Sequence, residues 1–305
     1  MKCFSNCTPS SRRWATIVAT VACGGLALAG VGCGSARPTQ AAPGGGFGTG
    51  DGGDAVAWRS ATPSEGRRLF GAVCAGCHGA NGDGKSRVAA VMVPPPRDLT
   101  RGEHRFRSTV SGALPLRTDM LRSVREGLPG TAMPAWKDRL NAQQLRSIVL
   151  YLETLSPRFA NETRYPDDVI ADLDAVEIPA ATSEVLARGE QVYVQAKCGQ
   201  CHGAKGRGDG LAAHTHRNSD GTPSHVFDFT WGIYKGGTDP KAVWRTFMTG
   251  LDGSPMPAYD QSIADPDDRK ALVAYVLSLG RSRGAWFWLS ERPTWREPME
   301  AGPTP

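Results

Sequence analysis

The chain has 305 residues, of which 40% are hydrophobic and 21% are charged, and its formal net charge is +5. A chain of this length has room for two domains of ordinary size, each burying its own core. Lys2, Arg12 and Arg13 lie in an N-terminus without acidic residues, so the rest of the chain carries only +2. A charge this small excludes the strongly basic class of nucleic-acid-binding proteins and predicts little long-range steering of charged partners.

The N-terminus, residues 1–33, is predicted to be an export signal. Polar and basic residues 1–14 precede an apolar run over residues 15–32, and Cys33 follows. The run is also long enough for an uncleaved membrane anchor, which is the alternative. Cys33, preceded by Gly-Val-Gly, resembles the lipid-carrying cysteine of bacterial lipoproteins, although a leucine is usual where Gly30 stands.

The segment after the signal, residues 34–58, is rich in glycine, alanine and proline. Such a composition behaves as a flexible linker. Together the two N-terminal segments predict a protein on the periplasmic side of a bacterial membrane. It would be tethered there by lipid at Cys33 or by an N-terminal anchor.

A CxxCH motif occurs twice, at residues 74–78 (CAGCH) and at residues 198–202 (CGQCH). Two thiols one helical turn apart can bond covalently to the two vinyl groups of a haem, and the histidine that follows is placed to bind the iron. The other four cysteines all lie within residues 1–33. No thiol therefore remains after Cys33 for a disulfide bond or for a cysteine ligand to iron.

Alignment of the two motifs reveals an internal repeat. Each motif is followed by a glycine-rich loop, at residues 79–84 and 203–208, and then by a D-[LF]-T element, at residues 98–100 and 228–230. The second copy takes six more residues to reach that element. Both copies then contain a loop with the sequence Met-Pro-Ala-aromatic, and Met133 and Met256 follow their motif histidines by 55 and 54 residues.

Helical periodicity flanks these motifs in both copies. Helices are predicted over residues 64–73 and 183–196, each leading into a CxxCH motif, and over residues 142–155 and 267–279 after the methionine loops. The apolar positions of the first pair are Leu69, Phe70, Val192 and Tyr193, and those of the second pair are Leu145, Ile148, Val149, Leu152, Leu155, Leu272, Val273, Val276 and Leu279.

This order of elements resembles the class I cytochrome c fold, and the resemblance predicts an all-α chain with two tandem domains. The domains would span residues 59–157 and 183–283, with a connector over 158–182 and an aromatic, proline-rich tail over 284–305 that packs on the second domain or docks a partner. The resemblance implies two covalently bound haem c groups. Their residues would be Cys74, Cys77, His78 and Met133 in the first domain, and Cys198, Cys201, His202 and Met256 in the second, with the histidines and methionines as iron ligands.

Histidine and methionine on opposite faces of each iron leave no position open for a substrate. The expected role is therefore electron transfer between a donor and an acceptor protein, not catalysis by this chain. Residues 94–136 also resemble haem subunits of larger oxidoreductases, including molybdenum enzymes, which implies a larger complex. The alternative is a dihaem enzyme such as a peroxidase or a thiosulfate dehydrogenase, which would need an iron with an open position or an unusual ligand.

Two other interpretations of the motifs are possible and are disfavoured. A zinc site built from the four motif cysteines would leave both histidines and both methionine loops unexplained. Residues 79–86 fit the phosphate-binding pattern GxxxxGK[ST], but that loop needs a preceding strand and a following helix, and here Val-Pro-Pro-Pro follows at residues 93–96. Neither zinc nor nucleotide binding is expected.

Several further side chains have two interpretations each. The remaining histidines are expected to face solvent, with replacement of a methionine ligand as the alternative; they are His104, His214, His216 and His225. Arg97, Arg105 and Arg107 would either hold haem propionates or form a solvated face. Trp136 and Tyr259 would either line the haem or pack in the core.

Overall fold

The computed structural model describes residues 58–164, 168–170, 173 and 175–280. The predicted export signal, Cys33, all but the last residue of the linker, and the aromatic tail lie outside the described residues. Within those ranges, no helix is both long and apolar enough to cross a membrane.

The described residues form helices joined by loops, with no β-strand among them, which confirms the predicted all-α class. The helices are α1 Pro63–Val73, α2 Ala75–His78, α3 Arg117–Glu126, α4 Ala142–Leu155, α5 Arg158–Asn161, α6 Ser183–Gln195, α7 Gly199–His202, α8 Pro240–Thr249 and α9 Pro266–Leu279. Short 3₁₀ helices lie at Ala89–Val91, Leu99–Arg101 and Phe229–Trp231. Helices α1–α4 build the first domain and α6–α9 the second.

Side-chain caps fix where the predicted helices begin. The Asn141 side chain accepts a hydrogen bond from the backbone N–H of Gln144, and the Gln144 side chain accepts one from the backbone N–H of Asn141, so α4 spans the predicted 142–155. Helices α1 and α9 each begin one residue earlier than predicted, at Pro63 and Pro266. Proline suits the first helical position because that position needs no N–H partner.

Two helices that precede the methionine loops, α3 and α8, were not predicted. Each buries apolar residues four positions apart, Met120 and Val124 in α3 and Val243 and Phe247 in α8, and α8 is buried over most of its surface. Each also ends at a glycine with positive φ, at Gly127 and Gly250. The four-residue spacing of the apolar residues and the terminal glycines are the signals that would have identified these helices.

The first and last helices of each domain cross at a glycine. A Cβ on Gly66 of α1 would lie 1.9 Å from the backbone oxygen of Ser147 in α4, and a Cβ on Gly189 of α6 would lie 2.2 Å from that of Ala271 in α9. Only a residue without a side chain permits helix backbones to approach so closely. The two crossings lie at equivalent positions of the repeat, so both copies have the same helix arrangement.

Each crossing closes a separate hydrophobic core. In the first domain Phe70 and Ile148 are each 1% exposed, and in the second Tyr193 and Leu272 are each 2% exposed. Apart from Leu155, Val276 and Leu279, which are partly buried against the cores, the predicted apolar positions are buried. The periodicity analysis thus identified the correct faces of all four helices.

The connector contacts both domains. The backbone N–H of Ile170 donates to the carbonyl of Ser108 in the first domain, at 3.0 Å. Leu173 is 4% exposed and belongs to the core of the second domain. This part of the chain therefore packs against both domains.

Direct contacts between the domains include several polar ones. Arg107 of the first domain is fully buried, forms an ion pair with Asp252 at 2.8 Å and donates to the carbonyl of Thr249 at 2.8 Å. The extra residues of the second copy form a small hairpin at 217–223, and its Asn218 and Ser219 bind the side chains of Arg105 and Glu103. The six-residue insertion is thus part of the domain interface.

We expect Gly66→Ala to lower the stability of the first domain, because the new methyl group overlaps the backbone of α4. Overpacking of this kind costs about 1–3 kcal/mol. Gly71→Ala in the same helix is the matched control, since a Cβ there meets nothing within 4 Å. It should stabilise the helix by roughly 0.5–1 kcal/mol. Urea denaturation of both variants measures the difference, and equal midpoints would contradict the close crossing.

Candidate functional site

Each CxxCH motif forms one turn of helix directly after the first long helix of its domain. The backbone N–H of His78 donates to the carbonyl of Cys74, and that of His202 donates to the carbonyl of Cys198, both at 2.9 Å. All four motif thiols are half-buried and free. Burial raises the pKa of the Cys74 and Cys198 thiols to about 11, so they are neutral at pH 7.

Both motif histidines present one ring nitrogen to a backbone carbonyl of the D-[LF]-T segment. His78 Nδ1 lies 3.1 Å from the carbonyl oxygen of Arg97. His202 Nδ1 is buried beside the carbonyl of Phe227, the equivalent residue, but falls outside hydrogen-bond geometry. Burial lowers the pKa of both imidazoles, that of His202 to about 4, so both are neutral at pH 7. With Nδ1 directed at a carbonyl, Nε2 is the nitrogen left to bind a metal.

The glycine-rich loops use their own amides to close on themselves. Gly84 N–H donates to the carbonyl of His78 at 2.8 Å, and Gly208 N–H donates to that of His202 at 2.9 Å. In each loop, a further bond of 2.7 Å ties the D-[LF]-T element to a loop carbonyl, that of Gly82 or Gly206. These amides are therefore not directed at a phosphate, and no long helix follows residues 79–86. The geometry does not support nucleotide binding.

The two methionine loops have the same backbone hydrogen bonds. Leu128 N–H donates to the carbonyl of Met133, and Leu251 N–H donates to that of Met256, both at 3.1 Å. A hydroxyl two residues before each methionine, on Thr131 or on Ser254, accepts from the methionine N–H. Both methionine side chains are half-buried. The repeat therefore builds two loops that hold a thioether in the same way.

The glycine before each loop is required by close approach as well as by its φ angle. Gly127 has φ +69°, and a Cβ on it would lie 2.5 Å from the carbonyl carbon of Pro134. Gly250 has φ +67°, and a Cβ there would lie 2.6 Å from the nitrogen of Ala258. Each loop thus folds back on the end of the preceding helix, α3 or α8.

In each domain, residues of the methionine loop and of the CxxCH turn pack against the same hydrophobic core. Cys74 and Met133 both pack against the first hydrophobic cluster, and so does Trp136. In the second domain, Cys198 and Tyr259 pack against the second cluster, and Tyr259 stacks on Phe247 with ring centres 4.8 Å apart. Core packing therefore accounts for Trp136 and Tyr259.

The comparisons with known proteins agree with this geometry. The family described as cytochrome c matches residues 186–280, and the family described as cytochrome c oxidase, cbb3-type, subunit III matches residues 61–152. A chain of the Kuenenia stuttgartiensis reducing HAO-like protein complex is 37% identical, with a TM-score of 0.66, and the match covers 72% of this chain and 97% of that one.

The chain belongs to the c-type cytochromes. It contains two tandem cytochrome c domains, one in each matched range, which confirms the predicted family and fold. Cytochrome c domains bind haem covalently and transfer electrons, so haem binding and electron transfer are properties of this chain.

The residues of this cytochrome fit haem c. Each domain offers two free thiols, an imidazole directed through Nδ1 at a carbonyl, and a methionine in a fixed loop. Among the residues that the structure describes, no three His, Cys, Asp or Glu side chains converge to hold a metal ion. That finding argues against the zinc alternative, whereas a haem iron needs only one histidine and one methionine from the chain.

Two cations at equivalent positions of the repeat, Arg105 and Lys235, fit the haem propionates. Within the described part of the chain neither forms an ion pair, and Arg105 Nε is buried without a partner. Burial lowers the pKa of Arg105 to about 10 and that of Lys235 to about 8, and Arg105 lowers the latter further. Buried positive charge of this kind is stabilised by carboxylates. The sequence indicated Arg105 as a candidate to hold a propionate, but not Lys235. Lys235 stands at the equivalent position of the repeat, and alignment of the two copies identifies it.

Two expectations about polar side chains are corrected. Arg107 is committed to Asp252 in the domain interface and is not available to hold a propionate. His214, His216 and His225 are exposed as expected, but His104 is half-buried with its ring 5.9 Å from that of Phe159. Burial lowers the pKa of His104 to about 4. The expectation for His104 failed because a short connector helix, α5, lies against its loop.

Gly127→Ala tests the methionine loop of the first domain. The new methyl group would overlap Pro134, so we expect the loop to shift and Met133 to bind iron more weakly. Gly112→Ala is the matched control, since Gly112 also has positive φ (+87°) but a Cβ there meets nothing within 4 Å. The readout is the weak near-infrared sulfur-to-iron band of the oxidised holoprotein. It should fall by up to half in Gly127→Ala and stay constant in Gly112→Ala; an unchanged band in both would contradict the prediction.

Proposed function

We propose that this protein is a dihaem cytochrome c that carries single electrons between a donor and an acceptor outside the cytoplasmic membrane. The observation that carries the proposal is the presence of two complete sets of haem-binding residues, each with its own histidine and methionine loop. We further propose that it works as the haem subunit of a larger oxidoreductase complex. The similarity to a chain of a reducing HAO-like protein complex supports this second part.

Haem c supplies an iron that takes up and releases one electron. Cys74 and Cys77, and likewise Cys198 and Cys201, would attach it to the chain, and His78 and His202 would bind the iron. The main chain at Arg97 and Phe227 orients these imidazoles. Met133 and Met256 would supply the second protein ligand of each iron, and thioether ligation favours the reduced iron and raises the potential.

The chain also controls what else reaches the cofactor. A histidine and a methionine bound to each iron would leave no position for oxygen or peroxide, which favours a carrier over an enzyme. Arg105 and Lys235 would hold propionates through charge-assisted hydrogen bonds. Arg105 also donates to Asn218 of the second domain, so this cation lies at the domain interface.

The test is an absorption spectrum of the purified mature holoprotein with a pyridine haemochrome count. We expect two haems per chain and a near-infrared sulfur-to-iron band that Met133→Ala and Met256→Ala each halve. Met92→Ala, at a methionine without a counterpart in the repeat, is the control and should leave the band intact. High-spin iron that reacts with peroxide would instead favour the dihaem enzyme alternative.

The location is a separate part of the proposal. We propose an exported chain tethered to the periplasmic face of the membrane by lipid at Cys33. Cys33→Ala should then release the protein into the soluble fraction, whereas Cys23→Ala, in the same apolar run, should leave it on the membrane. Retention of both variants would show that the apolar segment itself is the anchor, and release of the unaltered protein would rule out tethering.

A further inference from the structure

The two domains meet about a local two-fold axis. Phe106 and Gly236 occupy equivalent positions in the repeat, each eight residues after the aspartate of the D-[LF]-T element. A Cβ on Gly236 would lie 2.8 Å from Cδ1 of Phe106, so these equivalent residues contact each other. In an isologous interface a residue on the axis meets its own counterpart. The contact therefore marks where the axis passes.

Away from the axis, one contact is made in both directions. A Cβ on Gly253 of the second domain would lie 3.1 Å from Nη1 of Arg97 in the first. A Cβ on Gly130 of the first domain would lie 3.5 Å from Cε2 of Phe227 in the second. Arg97 and Phe227 are equivalent, and so are Gly130 and Gly253. The same contact is thus made twice, once in each direction.

Both partners in each contact belong to a haem site. Arg97 and Phe227 are the residues whose carbonyls face His78 and His202. Gly130 and Gly253 lie three residues before Met133 and Met256, inside the loops closed by the methionine carbonyls. The main chain of Arg97 or Phe227 therefore faces the histidine of its own domain. The side chain of the same residue contacts the methionine loop of the other domain.

Neighbouring groups favour the position of each side chain. The Arg97 guanidinium is attracted electrostatically by the carboxylates of Glu103, Asp220 and Asp252, two of which belong to the second domain. Phe227 packs against Trp231 with ring centres 6.0 Å apart, and the Lys235 ammonium lies 5.4 Å from the centre of its ring. Withdrawal of either side chain from the opposite loop would weaken these interactions.

We propose that Arg97 and Phe227 are reciprocal positioning residues through which each domain completes the methionine side of the other domain's haem site. The ligation and the potential of each haem then depend on a residue of the opposite domain, so each haem site is coupled to that residue. This inference rests on the proposed His/Met ligation of both irons. Coupling between sites in proteins is typically about 5- to 150-fold in an equilibrium constant.

The experiment isolates one haem at a time in the full-length holoprotein. In Met133→Ala the remaining near-infrared band reports on the second haem alone, and in Met256→Ala it reports on the first. Arg97→Ala is added to Met133→Ala, and Phe227→Ala to Met256→Ala, so that each substitution lies in the opposite domain from the haem observed. Both leave the backbone carbonyl in place. The readouts are this band and the midpoint potential from spectroelectrochemistry.

We expect each added substitution to weaken the band of the haem in the opposite domain and to shift its redox equilibrium about fivefold or more. Arg68→Ala controls for the loss of charge and should change neither readout. The Arg68 side chain lies on α1 and is 64% exposed. Arg97→Lys and Phe227→Leu serve as second variants where the alanine forms fail to retain two haems. They should give smaller shifts of the same kind.

The outcomes separate this inference from the proposed function. If the single methionine variants leave the band unchanged, the ligation itself is wrong, and the inference falls with it. If those variants each halve the band but the added substitutions change neither the band nor the potential of the opposite haem, the ligation stands and the coupling is overturned.

Discussion

The crossing of the first and last helices at a glycine is the contact on which each domain depends. Gly66 and Gly189 let two helix backbones approach closely, and the apolar faces on either side then form one core per domain. Because CxxCH follows directly from the first helix and the methionine loop leads into the last, the crossing sets the relation between the two halves of each haem site. Backbone hydrogen bonds within the CxxCH turns and the methionine loops then hold each half of the site in place.

Predictions from the sequence are correct where periodicity or a repeated motif carries the information. The four long predicted helices, the all-α class and the tandem domains follow from apolar spacing and from the paired motifs. Helices α3 and α8 were missed because only apolar residues four positions apart and terminal glycines mark them. The assignment of the haem ligands stays a prediction from the motifs and from the methionine loops, which lie at equivalent positions of the repeat.

Contacts between the domains were beyond the reach of the sequence. Nothing in the pattern around Arg107 distinguishes a residue that meets a propionate from one that meets Asp252, because both partners are carboxylates. His104 was expected in solvent because its loop is polar, and the helix that covers it comes from the connector, 54 residues further along the chain. Long-range packing of this kind depends on how the two domains dock, which local residue patterns do not encode.

The local two-fold axis has a consequence for how the domain pair is held together. An isologous surface is self-complementary, but here the Arg107–Asp252 pair and the contacts of the 217–223 hairpin occur in one direction only. A pair of identical copies of either domain would therefore lack part of this interface. The connector holds the two unlike domains on one chain, so that they meet intramolecularly, and a short tether supplies an effective concentration in the millimolar range. The interface can therefore have a modest intrinsic affinity, since the covalent link keeps the two domains paired at any protein concentration.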